Sequence, residues 1–172
     1  MYLFIMASMK MFVFNELAKQ LINKCREKNY KLAIAESCTG GLISSAITSV
    51  PGSSDIFECS FITYSNRSKK KILNVSENNL NLFGAVSKEV VIDMINGLRQ
   101  NTNSDILLAI SGIAGPGGGT NNKPEGLVWI SYALKNKVLK TSKLEFGPIG
   151  RDLVREKSTI QSLKFLLSLF GD

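Results

Sequence analysis

Hydrophobic positions follow helical spacing in some parts of the chain and form short continuous runs in others. Apolar residues three or four positions apart predict helices over residues 14–28, 42–50 and 151–170. They predict a further helix that begins after Ser87, its N-cap. A shorter helix is predicted from Ser65, as N-cap, to about Leu73. Buried or half-buried strands are predicted over residues 31–35, 57–64, 105–111, 127–134 and 138–146. A Lys-Asn-Lys turn joins the last two, which are therefore expected to pair antiparallel.

The order of these elements defines the expected fold class. Strands that alternate with helices and end in one hairpin predict an α/β protein, a three-layer α/β/α sandwich around a mixed, mostly parallel sheet with one antiparallel hairpin. The chain has no internal repeat or linker, so residues 1–172 are expected to form a single domain. We interpret residues 1–11 as a disordered or alternative-start extension, and Lys10 interrupts their apolar run too early for a membrane span.

Charge and residue counts narrow the chemistry. The 172 residues carry a net charge of +7, which attracts anions such as a phosphorylated metabolite. Because the basic residues are scattered, neither nucleic acid nor a membrane is expected as a partner. Three cysteines without zinc or redox spacing indicate reduced thiols in the cytoplasm. The sequence has no histidine, so histidine-based triads and metal sites are excluded, and we expect neither a metal nor a cofactor.

Two polar, glycine-bearing loops each follow a buried strand, at residues 36–41 and 111–120. Loops at the carboxyl ends of strands in an α/β sheet tend to share one crevice, so we expect them to meet. Neither loop has a complete phosphate-binding motif. Ser37 and Thr39 either cap the following helix or supply a nucleophile, whereas Cys38 is expected to be a small buried apolar group.

A nucleophilic hydroxyl needs a base, and the basic segment after Ser65 contains a candidate. Helical geometry directs Lys69 between Ile72 and Leu73, which are expected to face the core, while Lys70 and Lys71 turn toward solvent. A free lysine has a pKa of about 10.4, and lowering it to a useful ~7–8 costs roughly 3–5 kcal/mol, which burial and nearby cations can supply. A solvated basic helix face is the alternative.

Six motifs occur in an order that closely resembles the CinA C-terminal-domain family over about residues 14–170. They are Ala35-Glu-Ser-Cys-Thr-Gly-Gly41, Tyr64-Ser-Asn-x-x-Lys69, Gly84-Ala-Val-Ser87, Ser111-Gly-Ile-Ala-Gly-Pro116, Lys123-Pro-x-Gly126 and Arg151-x-x-Val-Arg155. The resemblance implies a metal-independent amidohydrolase that converts nicotinamide mononucleotide to nicotinic acid mononucleotide and ammonia, in pyridine nucleotide recycling. It also implies a dyad of Ser37 as nucleophile and Lys69 as base.

The other residues of the motifs receive expected roles beside this dyad. Tyr64 is expected to hydrogen-bond within it, and Glu36 to orient the loop. Backbone N–H groups around Thr39, Gly40 and Gly41 are expected to bind the oxyanion. Arg151 and Arg155 are candidates either for the substrate phosphate or for structural ion pairs. The remaining expected contacts to substrate are those of Asn66, Ser111, Gly112 and Gly115.

The resemblance has limits. Many relatives place a polar residue where Gly150 precedes Arg151, and the separate N-terminal domain of full-length relatives is absent, so we expect the stand-alone form. A homodimer is expected from the resemblance alone. The alternative function is a non-catalytic domain of the same family that binds a nucleotide or a protein.

Overall fold

The computed structural model describes residues 2–135 and 139–171, with side chains from residue 13 onward. The described chain forms six α-helices: α1 (Tyr2–Lys28), α2 (Leu42–Thr48), α3 (Asn66–Leu73), α4 (Glu77–Phe83), α5 (Lys88–Asn101) and α6 (Arg151–Leu167). It also forms five strands: β1 (Leu32–Glu36), β2 (Phe57–Ile62), β3 (Ile106–Gly112), β4 (Leu127–Leu134) and β5 (Lys140–Glu145). Short 3-10 turns follow at Ser53–Asp55 and Ser168–Phe170.

The five strands form one mixed sheet in the order β2-β1-β3-β4-β5. Strand β1 pairs parallel with both β2 and β3, and β4 pairs antiparallel with β3 and β5. Four strands therefore run in one direction and only β4 is reversed. This arrangement confirms the predicted α/β class with a mixed sheet and a hairpin.

Helices cover both faces of the sheet. Successive residues of β1 point to opposite faces: Leu32 and Ile34 join one apolar core, and Ala33 and Ala35 join the other. Helices α1, α2 and α6 pack over the first core, and α3, α4 and α5 form the layer on the other side. The small alanines leave room for that second layer to approach β1 closely.

The structure differs from the predicted elements at two main places. Helix α1 begins at Tyr2, well before Phe14, because residues 2–13 contain no proline or glycine that would end a helix. Helix α4 was not predicted, since Leu80 is its only buried residue. Contacts with α5 stabilise α4: the Asp93 carboxylate accepts hydrogen bonds from the Ser76 N–H (3.1 Å) and the Asn79 amide (2.8 Å).

The smaller differences concern element ends. Strand β2 ends at Ile62 rather than Tyr64, and α6 gives way to a 3-10 turn after Leu167. The antiparallel pairing of β4 with β5 confirms the hairpin. The predicted turn begins at Lys135, which is described, but the rest of it and the predicted start of β5 fall on residues 136–138, which lie outside the described residues.

Candidate active site

A cavity of about 190 Å³ lies where β1 and β3 end, between the two predicted loops. We call it the dyad pocket; its lining residues are Ser37, Cys38, Tyr64, Lys69, Ala85, Val86, Ser111, Gly112, Ala114 and Arg151. Residues of both loops therefore meet in one crevice, as the strand order requires. A larger cavity of about 340 Å³ lies at the opposite end of β3, beside Arg99 and Lys135. It lacks a buried charged side chain among its lining residues.

A buried lysine and a serine form the centre of the dyad pocket. The Lys69 side chain is 1% exposed, and its Nζ lies 2.9 Å from Ser37 Oγ and 2.8 Å from the Thr63 carbonyl oxygen, to which it donates. Helix α3 carries Lys69 inward because Ser65 caps its first turn through a reciprocal capping box with Ser68.

The orientation of Lys69 was predicted from two neighbours, of which only one faces the core. Leu73, four residues on, is fully buried, whereas Ile72 is 37% exposed. The prediction for Ile72 is therefore wrong. The i, i+4 direction alone defines the inward face of this short helix, because residues four apart lie on the same side of a helix.

Burial changes the acid–base properties of Lys69. Removal from water disfavours the ammonium form and lowers the pKa of Lys69 from 10.5 to about 8. At pH 7 roughly one such lysine in ten is then neutral, against about one in 3,000 for a lysine of ordinary pKa. The nearby Lys70 is exposed and paired with Glu77 at 2.6 Å, so burial and not neighbouring cations is the main cause. The geometry thus combines a hydroxyl with a base that can take its proton.

The carboxylate of Glu36 organises the loop between β1 and α2. It is fully buried and accepts hydrogen bonds from the N–H of Gly41 (2.9 Å) and Ile43 (3.3 Å), and from the N–H (2.9 Å) and hydroxyl (2.5 Å) of Ser44. Glu36 therefore supplies the N-terminal cap of α2, and its acceptor atoms are engaged away from the dyad. Ser37 and Thr39 are not caps of this helix.

The loop N–H groups expected to bind an oxyanion are largely engaged. The Gly40 N–H donates to the Ser37 carbonyl oxygen at 3.0 Å, and the Gly41 N–H donates to Glu36. A donor that already has an acceptor gains little by turning to a substrate. The expectation for Gly40 and Gly41 is therefore corrected: both glycines shape the turn, with φ of +59° and +94°.

Tyr64 contacts an arginine and not the dyad. Its hydroxyl accepts a hydrogen bond of 2.7 Å from Arg151 Nη2, and Arg151 Nη1 donates to the Gly115 carbonyl oxygen at 3.1 Å. The expected hydrogen bond between Tyr64 and the dyad is corrected accordingly. Both side chains are exposed at the rim of the pocket, so together they form its outer edge.

The two arginines of the last motif lie in different places. Arg155 is one turn further along α6 than Arg151, and its guanidinium donates to the Thr39 carbonyl oxygen through Nη2 (2.8 Å) and Nε (3.3 Å). Arg155 therefore holds the loop between β1 and α2, while Arg151 lines the pocket. Asn66 is exposed at the start of α3 and is not among the lining residues of the pocket.

Another wall of the dyad pocket is formed by Ser111 and Gly112, which were predicted, and by Ala85 and Val86, which were not. Ser111 is buried and donates through Oγ to the Ala85 carbonyl oxygen at 2.8 Å, so its hydroxyl faces the protein and not a ligand. Gly112 lines the pocket, and a Cβ there would lie 3.0 Å from Cys38 Sγ. Ala85 and Val86 were not assigned a role, although the Gly84-Ala-Val-Ser87 motif marked them.

Cys38 does not have the properties of a nucleophile. Its side chain is 5% exposed, and burial raises the pKa of the thiol to about 12. The reactive thiolate is therefore a negligible fraction at neutral pH.

Neither a cluster of metal-binding side chains nor a membrane-spanning helix is found among the described residues. Within the described ranges, no three or more Cys, Asp or Glu side chains gather as a metal site would require. Among the helices described, none is long and apolar enough to cross a membrane.

Known proteins resemble this chain over nearly its full length. The family model for the CinA C-terminal domain matches residues 14–170. A CinA-like protein of Akkermansia muciniphila is 42% identical over 151 residues, which are 88% of this chain and 36% of that protein. The nicotinamide-nucleotide amidohydrolase PncC of Enterobacter agglomerans is 41% identical over 156 residues, which are 91% of this chain and 94% of that protein.

Solved structures agree with the sequence relatives. The competence/damage inducible protein CihA from Agrobacterium tumefaciens aligns with a TM-score of 0.89 at 36% identity, over 91% of this chain and 95% of that chain. The chain spans about a third of the length of the CinA-like relatives from Akkermansia and Prochlorococcus, 36% and 32% respectively. The match over residues 14–170 and the amidohydrolase that aligns over almost its whole length establish that this chain belongs to the CinA C-terminal domain family.

Proposed function

We propose that this protein hydrolyses the carboxamide of nicotinamide mononucleotide, with Ser37 as nucleophile and Lys69 as general base. The observation that carries the proposal is the 2.9 Å approach of a buried lysine Nζ to the Ser37 hydroxyl inside a small pocket. The PncC relative from Enterobacter agglomerans is named a nicotinamide-nucleotide amidohydrolase, which supports this choice of substrate. The product is nicotinic acid mononucleotide, which places the reaction in pyridine nucleotide recycling.

The first half of the reaction forms an acyl-enzyme. Neutral Lys69 takes the Ser37 proton while Oγ bonds to the carboxamide carbon, and the carbonyl π electrons move to the oxygen. The tetrahedral intermediate then collapses: the C–N bond breaks, the nitrogen takes the proton from Lys69, and ammonia leaves. Lys69 is neutral again at the end of this half-reaction.

The second half regenerates the serine. Water replaces ammonia in the pocket, and Lys69 accepts its proton as the hydroxyl bonds to the ester carbon. The bond between that carbon and Ser37 Oγ breaks, and the serine recovers a proton from Lys69. The low pKa of Lys69 suits both halves, because a base with a pKa near the working pH both accepts and returns a proton readily.

The shape and charge of the pocket suit a pyridine ring that carries a carboxamide. The volume of about 190 Å³ accommodates a small planar group, so the ribose and phosphate lie toward the rim. Arg151 lies at this rim with its guanidinium oriented by Tyr64 and Gly115, and we assign it to the substrate phosphate. Arg155 is assigned a structural role, because the loop carbonyl of Thr39 already accepts from it.

The proposal extends to the setting of the enzyme. We propose a cytoplasmic location, supported by the free cysteines Cys25, Cys38 and Cys59. A homodimer stays a proposal from the family resemblance. The chain is proposed to act as a single domain.

Ammonia release from nicotinamide mononucleotide tests the function directly. The wild-type protein should release ammonia and nicotinic acid mononucleotide in equal amounts, and Ser37→Ala should abolish both while it keeps the fold. Ser45→Ala, an exposed serine on α2, is the matched control and should keep wild-type activity. A folded wild-type protein that binds the nucleotide without releasing ammonia would instead favour the non-catalytic binding domain.

A further inference from the structure

The segment of residues 83–86, which we call the 83–86 segment, forms a wall of the dyad pocket through Ala85 and Val86. All four of its backbone carbonyl groups accept a hydrogen bond from a side chain. Lys123 Nζ donates to the carbonyl oxygens of Phe83 and Val86, the latter at 2.8 Å. Ser87 Oγ donates to Gly84 at 2.9 Å, and Ser111 Oγ donates to Ala85 at 2.8 Å. Phe83 ends α4 and residues 84–86 have no regular secondary structure, so these side chains hold the segment in its conformation.

Lys123 has a distinct place in this arrangement because it holds both ends of the segment. The N–H and C=O of Lys123 itself pair with Thr120 at 3.1 and 2.8 Å, which fixes the backbone from which its side chain extends. Two residues beyond Pro124, Gly126 has a φ of +83° and packs against the backbone of Gly147. The Lys123-Pro-x-Gly126 motif is therefore a rigid support for one lysine side chain.

The orientation of the carbonyls also determines that of the N–H groups. The C=O and N–H of a trans peptide unit point in opposite directions, so fixing the carbonyls of Gly84 and Ala85 fixes the N–H groups of Ala85 and Val86. In the described part of the chain, these two N–H groups donate to no protein acceptor. Both belong to residues that line the pocket, whereas the N–H groups of Gly40 and Gly41 are already engaged.

We propose that Lys123 is a positioning residue: it anchors the two ends of the 83–86 segment, while Ser87 and Ser111 hold the inner carbonyls of the segment. In this conformation the N–H groups of Ala85 and Val86 bind the carboxamide oxygen as it becomes an oxyanion. The inference rests on the proposed amidohydrolase function and deepens it. Backbone N–H groups held in place before the reaction stabilise the developing charge without reorganisation. Lys123 does not touch the reacting atoms in this scheme.

Steady-state kinetics of Lys123→Met test the role. Because loss of one oxyanion donor costs about 10²-fold or more in kcat, we expect a loosened segment to lower kcat by at least ~10-fold. The KM should stay within about 3-fold, and the midpoint of the pH profile should not move, because the surroundings of Lys69 are unchanged. Lys70→Met removes an exposed lysine paired with Glu77 and is the matched control, expected to retain wild-type kinetics. A Lys123→Met kcat within twofold of wild type, or a loss confined to KM, overturns the proposal.

Amide hydrogen exchange separates this inference from the proposed function, because it needs no substrate. The informative amide is that of Gly84, which donates to the Leu80 carbonyl oxygen at 3.0 Å and shares a peptide unit with the Phe83 carbonyl that Lys123 holds. Lys123→Met should speed exchange at Gly84 by about 10-fold or more, as expected for a segment that loses its restraints. Exchange in β3 and in the Lys70→Met control should not change. If exchange at Gly84 is unaffected, the positioning role is wrong even for an active enzyme. If the wild type releases no ammonia, the proposed function fails, and exchange still decides whether Lys123 restrains the segment.

Discussion

Lys69 Nζ lies 2.9 Å from Ser37 Oγ, although the two residues are 32 positions apart in the chain. The contact joins the loop after β1 to the first turn of α3, and the Thr63 carbonyl oxygen receives a second hydrogen bond from the same nitrogen. Neither partner is a carboxylate, so nothing in this pair stabilises the ammonium form through an opposite charge. The lysine is therefore suited to work as a neutral amine.

The rate should depend on pH through Lys69. Because burial lowers the pKa of Lys69 to about 8, the neutral amine accumulates as the pH rises toward that value. The value of kcat/KM should rise about tenfold per pH unit below 8 and level off above it. A pH series with nicotinamide mononucleotide measures this profile, and no histidine is present to produce it.

Lysine variants provide the control for that profile. Lys69→Arg keeps a positive charge but cannot release its proton, so kcat should fall by at least ~10²-fold. Lys70→Arg and Lys71→Arg, exposed on the same helix, should stay near wild type. A Lys69→Arg enzyme within a few-fold of wild type would contradict the assignment of the base.

The same buried lysine should make stability depend on pH. The unfolded chain titrates Lys69 near 10.5 and the folded chain near 8, so between these values the unfolded state binds more protons and the free energy of unfolding rises with pH. Between pH 7.5 and 10 this gain amounts to about 2 kcal/mol. Lys69→Met lacks it, so the stability of wild type relative to Lys69→Met should increase by that amount.

Urea unfolding of both proteins at the two pH values measures the difference. The other titrating groups are common to both chains, so their contributions cancel in the comparison. An equal pH dependence in the two proteins would show that folding does not lower the pKa of Lys69.

The apolar pattern was sufficient to predict the sheet and the layers around it. Strand β3 is a run of buried residues, and the alternation of strands and helices predicted a mixed, mostly parallel sheet, although not the order of its strands. Helical geometry likewise placed Lys69 inside, because the i, i+4 partner Leu73 is apolar. These features depend on residues close in the chain, which is why a single sequence reveals them.

The corrected parts of the site depend on partners far apart in sequence. Arg155 reaches Thr39 across 116 positions, and Arg151 reaches Tyr64 across 87. No periodicity tells which carbonyl or hydroxyl a long side chain selects. Glu36 is a similar case. Its carboxylate was expected to orient the loop, but the N–H groups that it binds are known only from the folded structure. One of them belongs to Gly41, which is therefore not free to bind an oxyanion.

Cys38 should be dispensable for catalysis although it lines the pocket. The buried thiol has a pKa of about 12, so almost no thiolate exists at neutral pH. Cys38→Ala should keep most of the activity and lose about 1 kcal/mol of stability, measured by ammonia release and urea unfolding. Activity that survives in Ser37→Ala but disappears in Cys38→Ala would assign the nucleophile to the thiol.

Replacement of Arg151 by methionine should change substrate binding, whereas replacement of Arg155 should change turnover and stability. Arg151 is exposed at the pocket rim, so Arg151→Met should raise the KM for nicotinamide mononucleotide by about 10-fold or more through loss of a charge-assisted contact with the phosphate. Activity on nicotinamide riboside, which lacks the phosphate, should change far less. Arg155→Met should instead lower kcat and the melting temperature for both substrates, because the Thr39 carbonyl loses its donor and the nucleophile loop loosens. Equal effects of Arg151→Met on the two substrates would show that its guanidinium serves the rim structure and not the phosphate.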